Sequence, residues 1–227
     1  MTLQFDIFIL IHRFTFAKIF RVAIKNIIFD LGGVLLNLDF NRTYDALKKL
    51  GIDNPEEIIR LGHGSVILRE HESGKITDEE FILSLKKLSP VPVSDNDLIN
   101  AWNMLLLDFP KDRIEWLTRL KKKYRLFLFS NTNGIHVKHF RKIYSDAYNN
   151  AIFDDHFEKA YYSHVARLIK PDLEAFHLVI RENNLVPEET LFIDDTLANV
   201  EAARRAGLKA LQVVPGTTVL DLELEPS

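Results

Sequence analysis

Four short apolar runs punctuate this chain, at Ile24 to Phe29, Arg125 to Phe129, Leu191 to Ile193 and Lys209 to Val214, and the last three each lie near a helical pattern. A weaker fifth run spans Lys159 to Tyr162. Strands separated by helices of ten or more residues cannot close as hairpins, so this rhythm predicts a parallel sheet covered on both faces. One interval breaks it. From Phe40 to Leu107 the signals are helical only: Asn54-Pro55-Glu56-Glu57 sets a cap before a proline and two acids, Thr77-Asp78-Glu79-Glu80 is a capping box, and Ser94 to Asp97 is a third start. The pattern predicts an α-helical cap over 38–107, inserted after the first strand, with 24–37 and 108–227 forming an α/β core. An insertion of roughly 65 residues is too small for a large core of its own, so it is expected to pack as a lid over the sheet edge from which it springs.

Composition narrows the function. A chain of 227 residues that is 47% hydrophobic buries one good core and at most a second small module. A net charge of −3 gives no general attraction to nucleic acid or to acidic membranes, which leaves a small molecule as the expected partner. Lys121-Lys122-Lys123 reads as a solvated helix end. With no cysteine the chain has no disulfide, thiolate metal site or cysteine nucleophile, which suits a reducing cytoplasm. Residues 1–23 are apolar and basic but are interrupted by Asp6, His12, Arg13, Lys18 and Arg21, so they hold no membrane-length span and do not have the order of a signal peptide. They are expected to be a leader outside the fold; an amphipathic helix docking on the body or on a membrane surface is the alternative.

In an open parallel sheet, ligands bind beyond the carboxyl ends of the strands. The polar residues that end the apolar runs fall there. Asp30 ends the first, Ser130-Asn131 the second and Asp194-Asp195 the run from Leu191, while Lys170-Pro171 opens a helix over Asp172 to Asn183. Singly, each has an ordinary reading as a turn, cap or solvated residue. Together, in order and each at an element boundary, they point to a site for an anionic ligand.

The pieces FDLGGVLLNLD, GKITDEEF, LFSNTNGIH, RLIKPDLEAF and FIDDTLANVEAARRAG, spread between Ile24 and Val214, resemble the haloacid dehalogenase-like hydrolase superfamily, and most closely its small-cap sugar-phosphate phosphatase branch. The resemblance implies a three-layer, Rossmann-like parallel sheet core with a helical cap after the first strand, in agreement with the pattern above. It implies that Asp30 is a nucleophile that attacks phosphorus and forms an aspartyl-phosphate, with its other oxygen on Mg²⁺. Asp195 is then the direct metal ligand and Asp194 the one acting through water, or the reverse, and the Gly32 carbonyl completes the set. Ser130 and Asn131 would hold phosphoryl oxygens, Lys170 would offset charge on nucleophile and phosphate, and Asn199 would orient Asp195 or Lys170. The partner implied is a small phosphorylated metabolite, bound by a cytoplasmic monomer or homodimer with no nucleic acid and no membrane.

Gly32 departs from the pattern. Phosphatases of this superfamily commonly carry a second Asp there, which protonates the leaving oxygen and then activates water. Three explanations stay open: an activated ester as substrate, an acid borrowed from the cap or the substrate, or a weak or non-catalytic relative that binds phosphate. Loss of acid-base assistance typically costs about 10²- to 10⁴-fold. A 2-haloacid dehalogenase is the other enzymatic reading, disfavoured because the Asp194-Asp195 pair suits a metal and a phosphate dianion. In the cap, His63, Glu70, His71 and Glu72 are candidates to contact sugar hydroxyls, and His136 follows the Ser130-Asn131 loop closely enough to line the pocket.

Overall fold

The computed structural model describes residues 23–59, 66–222 and 224. The expected leader and His63 lie outside the described residues. Five strands form one sheet in the order β3-β2-β1-β4-β5, all parallel: β1 (Asn26–Phe29), β2 (Arg125–Ser130), β3 (Lys159–Tyr162), β4 (Thr190–Asp194) and β5 (Lys209–Gln212). β1 proper starts at Asn26 and β5 ends at Gln212, and the flanking residues still bond to their neighbours, Lys25 N–H to the Glu189 carbonyl and Val213 N–H to the Asp194 carbonyl.

Side chains alternate across each strand, and the two faces receive different helices. Ile27 and Phe29 of β1, Leu126 and Leu128 of β2, and Leu191 and Ile193 of β4 point to one side. There they meet Ile114, Trp116 and Leu117 before β2 and Val137, Phe140 and Tyr144 after it. Ile28, Phe127, Phe129 and Phe192 point to the other side, against Ala175, Phe176, Val179, Val200 and Ala203. The three-layer α/β sandwich follows from strands that are apolar on both faces.

Between β1 and β2 the described residues form six helices: α1 (Phe40–Lys49), α2 (Pro55–Ile59), α3 (Val66–Glu72), α4 (Asp78–Lys86), α5 (Asp95–Asn103) and α6 (Lys111–Leu120). The predicted capping box is present at α4, where Glu80 N–H donates to Thr77 Oγ1 (3.2 Å) and Thr77 N–H to Glu80 Oε2 (2.8 Å). A modest apolar cluster holds these helices together. Leu47, Ile52, Phe81, Leu85, Leu98 and Trp102 are almost wholly buried together, and Ile135 from the helix after β2 joins them. Large aromatic side chains such as Phe81 and Trp102 bury enough surface for a short stretch to do this.

The passages into and out of this helical stretch run side by side. Asn37 N–H donates to the Asp108 carbonyl (2.9 Å), Leu107 N–H to the Asn37 carbonyl (3.0 Å) and Asp39 N–H to the Leu105 carbonyl (2.9 Å). Beyond β2 the remaining helices are α7 (Gly134–Ala147), the single turn α8 (Ser163–Ala166), α9 (Leu173–Glu182) and α10 (Leu197–Arg205). Among the described residues, no helix is long and apolar enough to cross a membrane.

His136, at the start of α7, is buried where that helix meets α5. Its ring stacks on Trp102 with centroids 5.3 Å apart, and its Nδ1 lies 3.0 Å from Asn103 Oδ1. It is a packing residue there. Burial lowers its pKa to about 3, helped by His71 and His139 and opposed by Asp78.

Phe192 lies at the centre of the sheet, fully buried and edge-on to Phe176 at 5.2 Å. Phe192→Ala should lower the unfolding free energy by about 3–5 kcal/mol in urea titrations. His136 is neutral when folded and titrates near 6.5 when unfolded, so the unfolded chain binds the extra proton. Its contribution is full above pH 6.5 and is lost as the pH falls towards 3. His136→Gln should therefore flatten the acid limb of the stability curve by up to about 1.4 kcal/mol per pH unit.

Candidate active site at the sheet edge

β1 is the central strand, with β2 on one side and β4 on the other, so the chain reverses direction across the sheet between β1 and β4. Such a reversal opens a crevice at the carboxyl ends of the strands. Phe29 is in register with Leu128 and Ile193, which brings Asp30, Ser130 and Asp194 out beside one another. Asp30 N–H still donates to the Ile193 carbonyl (2.8 Å), so the carboxylate is held by the last rung of the sheet.

Lys170 reaches into this edge from the loop before α9. Its Nζ donates to Asp30 Oδ1 (2.7 Å), Asp194 Oδ2 (2.7 Å) and the Phe129 carbonyl (2.8 Å). All three ammonium protons therefore have acceptors, with Lys170 3% exposed. Burial alone would lower its pKa, but Asp194 and Asp30 reverse that and raise it. The lysine is a fixed positive charge.

Asp194 is fully buried and fully used. Its Oδ1 accepts from Thr196 N–H (2.8 Å), its Oδ2 from Lys170, and the Asn199 amide donates to both oxygens at 3.1 Å. Asn199 thus orients Asp194, where the sequence reading expected Asp195 or Lys170. Asp195 is exposed, and a Cβ on Gly33 would stand 2.5 Å from its Oδ2. Gly33 also has φ +71°, so glycine there serves both the turn and the close approach.

Asp30, Asp194 and Asp195 each bring an oxygen within 4.8 Å of the others. One ammonium cannot balance three carboxylates. Burial raises the Asp30 carboxyl to about 7, with Lys170 pulling it back and Asp194 and Asp195 pushing it further up. Burial and Asp194 raise Asp195 as well. A cluster of hard oxygens with surplus negative charge is the donor set that a hard divalent cation prefers. The Gly32 carbonyl accepts no backbone hydrogen bond among the described residues, which leaves it available to such an ion.

Ser130 is buried beside this cluster, and among the described residues its hydroxyl has only a 3.5 Å contact to the Asn131 carbonyl. The Asn131 side chain is engaged with Lys170. Its amide donates to the Lys170 carbonyl and accepts from Lys170 N–H, both at 2.9 Å. That side chain ties the strand-end loop to the lysine. Nearby, Ser163 Oγ accepts from Thr132 N–H and donates to the Thr132 carbonyl, a further clamp that its position in the sequence did not signal.

Of the cap candidates, His71 is buried, stacks on Phe81 at 4.2 Å and bonds to Asp78 Oδ1 at 2.8 Å. It belongs to the packing of the helical stretch. Glu72, one residue on, has Lys170 as the charged group acting on it.

Comparison with known proteins agrees with this geometry. A family model for haloacid dehalogenase-like hydrolases matches residues 24–207. The chain is 29% identical to a D-ribitol-5-phosphate phosphatase of Bacteroides thetaiotaomicron, over 83% of this chain and 91% of the relative. It is 37% identical to a HAD family enzyme of the same organism, solved in complex with magnesium and inorganic phosphate. That match covers 86% of this chain and 96% of the other, with a TM-score of 0.78. An L-2-haloacid dehalogenase, 16% identical over 85% of this chain and 87% of its own, has a TM-score of 0.56 and shares the fold. The match over most of the chain, with its motif residues converging on one sheet edge, shows that this protein belongs to the haloacid dehalogenase-like hydrolases.

Proposed function

We propose that the protein is a Mg²⁺-dependent phosphomonoesterase for small phosphorylated metabolites, sugar and polyol phosphates above all. The observation that carries this reading is the cluster at Lys170, where one ammonium holds two buried carboxylates and a third stands exposed beside them. Phosphoryl transfer asks chiefly for positioning and for stabilisation of spread negative charge, and this set is built for both. The D-ribitol-5-phosphate phosphatase relative, and the magnesium and inorganic phosphate in the complex of the similar enzyme, support the same choice.

In this reading Asp30 attacks phosphorus with one carboxylate oxygen, and Lys170 keeps that carboxylate aimed and offsets its charge. The Ser130 hydroxyl holds a phosphoryl oxygen. Asn131 fixes Lys170 by its backbone rather than touching the phosphate with its amide. Mg²⁺, held by Asp30, Asp194, Asp195 and the Gly32 carbonyl, would supply the charge neutralisation that the ammonium cannot. Because four hydrogen bonds from three donor groups already occupy the Asp194 oxygens, Asp195 is the direct ligand and Asp194 acts through water. Residues 38–107 form the lid that selects the substrate, hinged on the paired passages at Asn37 and Leu107. A monomer or homodimer in a reducing cytoplasm suits a chain with no cysteine and this class of substrate.

A phosphate-release screen over a panel of metabolites should show turnover that is abolished by EDTA and restored by Mg²⁺. Asp30→Asn should lower it by roughly 10³-fold or more. Metal-independent turnover of a 2-haloacid, with no phosphate released from any metabolite, would contradict the reading. Asn199→Ala leaves buried Asp194 short of one donor and two hydrogen bonds, so its cost should appear both as about 1–3 kcal/mol of stability in denaturation curves and as a lower turnover rate.

A further inference from the structure

The backbone at Gly32 does not demand a glycine. Its φ lies outside the left-handed region, and a Cβ there would meet only the flexible end of Leu38, with Cδ1 at 2.7 Å. The site therefore has no acid at a position that has room for one after a small shift. A primary alkyl phosphate loses its alcohol as a poorly stabilised alkoxide, so a proton must come from elsewhere.

The C-terminal end of α3 meets the loop that carries Lys170. Arg69 Nη2 bonds to Asp172 Oδ2 at 3.3 Å, two residues beyond Lys170. Residues three apart share a helix face, so Glu72 lies on the same face as Arg69. Two residues later Gly74 has φ +67°, and a Cβ there would stand 2.1 Å from the His164 carbonyl oxygen, which seats this turn tightly on α8. Glu72 is partly buried, and among the described residues its carboxyl has no hydrogen bond or ion pair. The charged group acting on it is Lys170, whose Nζ is 2.7 Å from Asp30 Oδ1. A carboxyl withdrawn from water and left without donors keeps its proton near neutrality. Burial raises Glu72 to about 7 against the pull of Lys170.

We propose that Glu72 is the general acid and base of the reaction, supplied by the cap in place of a side chain at Gly32. The inference rests on the phosphomonoesterase reading. In the first step an Asp30 oxygen bonds to phosphorus, the bond from phosphorus to the ester oxygen breaks, and that oxygen takes the Glu72 proton to leave as the alcohol. In the second, water gives a proton to the Glu72 carboxylate while its oxygen bonds to phosphorus. The bond from phosphorus to Asp30 breaks, releasing inorganic phosphate and restoring both carboxyl groups to their starting states. The role needs the cap seated on the core, which ties the chemistry to substrate enclosure.

The test compares an alkyl phosphate, such as ribitol 5-phosphate, with p-nitrophenyl phosphate, whose leaving group departs without a proton. Under saturating Mg²⁺, Glu72→Gln should lower single-turnover cleavage of the alkyl ester by about 10²-fold or more and that of the aryl ester by less than about 10-fold. Equal losses on the two esters, or no loss on either, would overturn the proposal, because a merely structural role does not discriminate leaving groups. Glu72→Ala is read by the same ratio should the glutamine variant fold poorly. Failure of the phosphatase reading itself is distinguishable: the unaltered enzyme would then release no phosphate from either ester.

Discussion

The Lys170 ammonium lies between Asp30 and Asp194, with the Phe129 carbonyl as third acceptor. Each partner needs the others. Two buried carboxylates from adjacent strand ends would repel each other in a region poor in water, and a buried lysine without them would lose its proton. Removing the lysine would leave two uncompensated buried charges, a change that typically costs about 3–5 kcal/mol. The rest of the site serves this bridge: Asn131 clamps the lysine's backbone, while Thr196 and Asn199 fill the remaining lone pairs of Asp194. With Asp195 beside it the bridge leaves surplus negative charge, the donor set that a hard divalent cation prefers.

The sheet order explains why these residues meet at all. They come from positions as far apart as Asp30, Lys170 and Asp194, and only the reversal between β1 and β4 places two of the strand ends side by side. The helical stretch between β1 and β2 has its own apolar cluster around Phe81 and Trp102, so it holds its shape as a unit. Its contacts with the core include Ile135 in its apolar cluster, His136 against Trp102, Gly74 against His164, Arg69 with Asp172 and Lys138 with Asp78.

Much of this was legible in the sequence because strands buried on both faces are continuous apolar runs, and because the residues that end them carry chemistry. Asp30, Lys170, Asp194 and Asp195 converge as the order of the motifs suggested. Contacts set by side-chain direction were not legible. Nothing in the letters says that the Asn131 amide turns to the Lys170 backbone, or that Asn199 serves Asp194, since each depends on the distance between loops far apart in the chain. Glu72 was indistinguishable from Glu70 by spacing alone. What marks Glu72 out is the Lys170 charge acting on its buried carboxyl.

In the proposed reaction Asp30 carries the phosphoryl group during turnover. Enzyme, Mg²⁺ and a ³²P-labelled sugar phosphate can be mixed rapidly, quenched in acid and mapped by peptide. Transient label is expected on the peptide containing Asp30, released by mild alkali as an acyl phosphate is. Turnover of the substrate with no label on any peptide, at times when a burst of alcohol product has already formed, would contradict it.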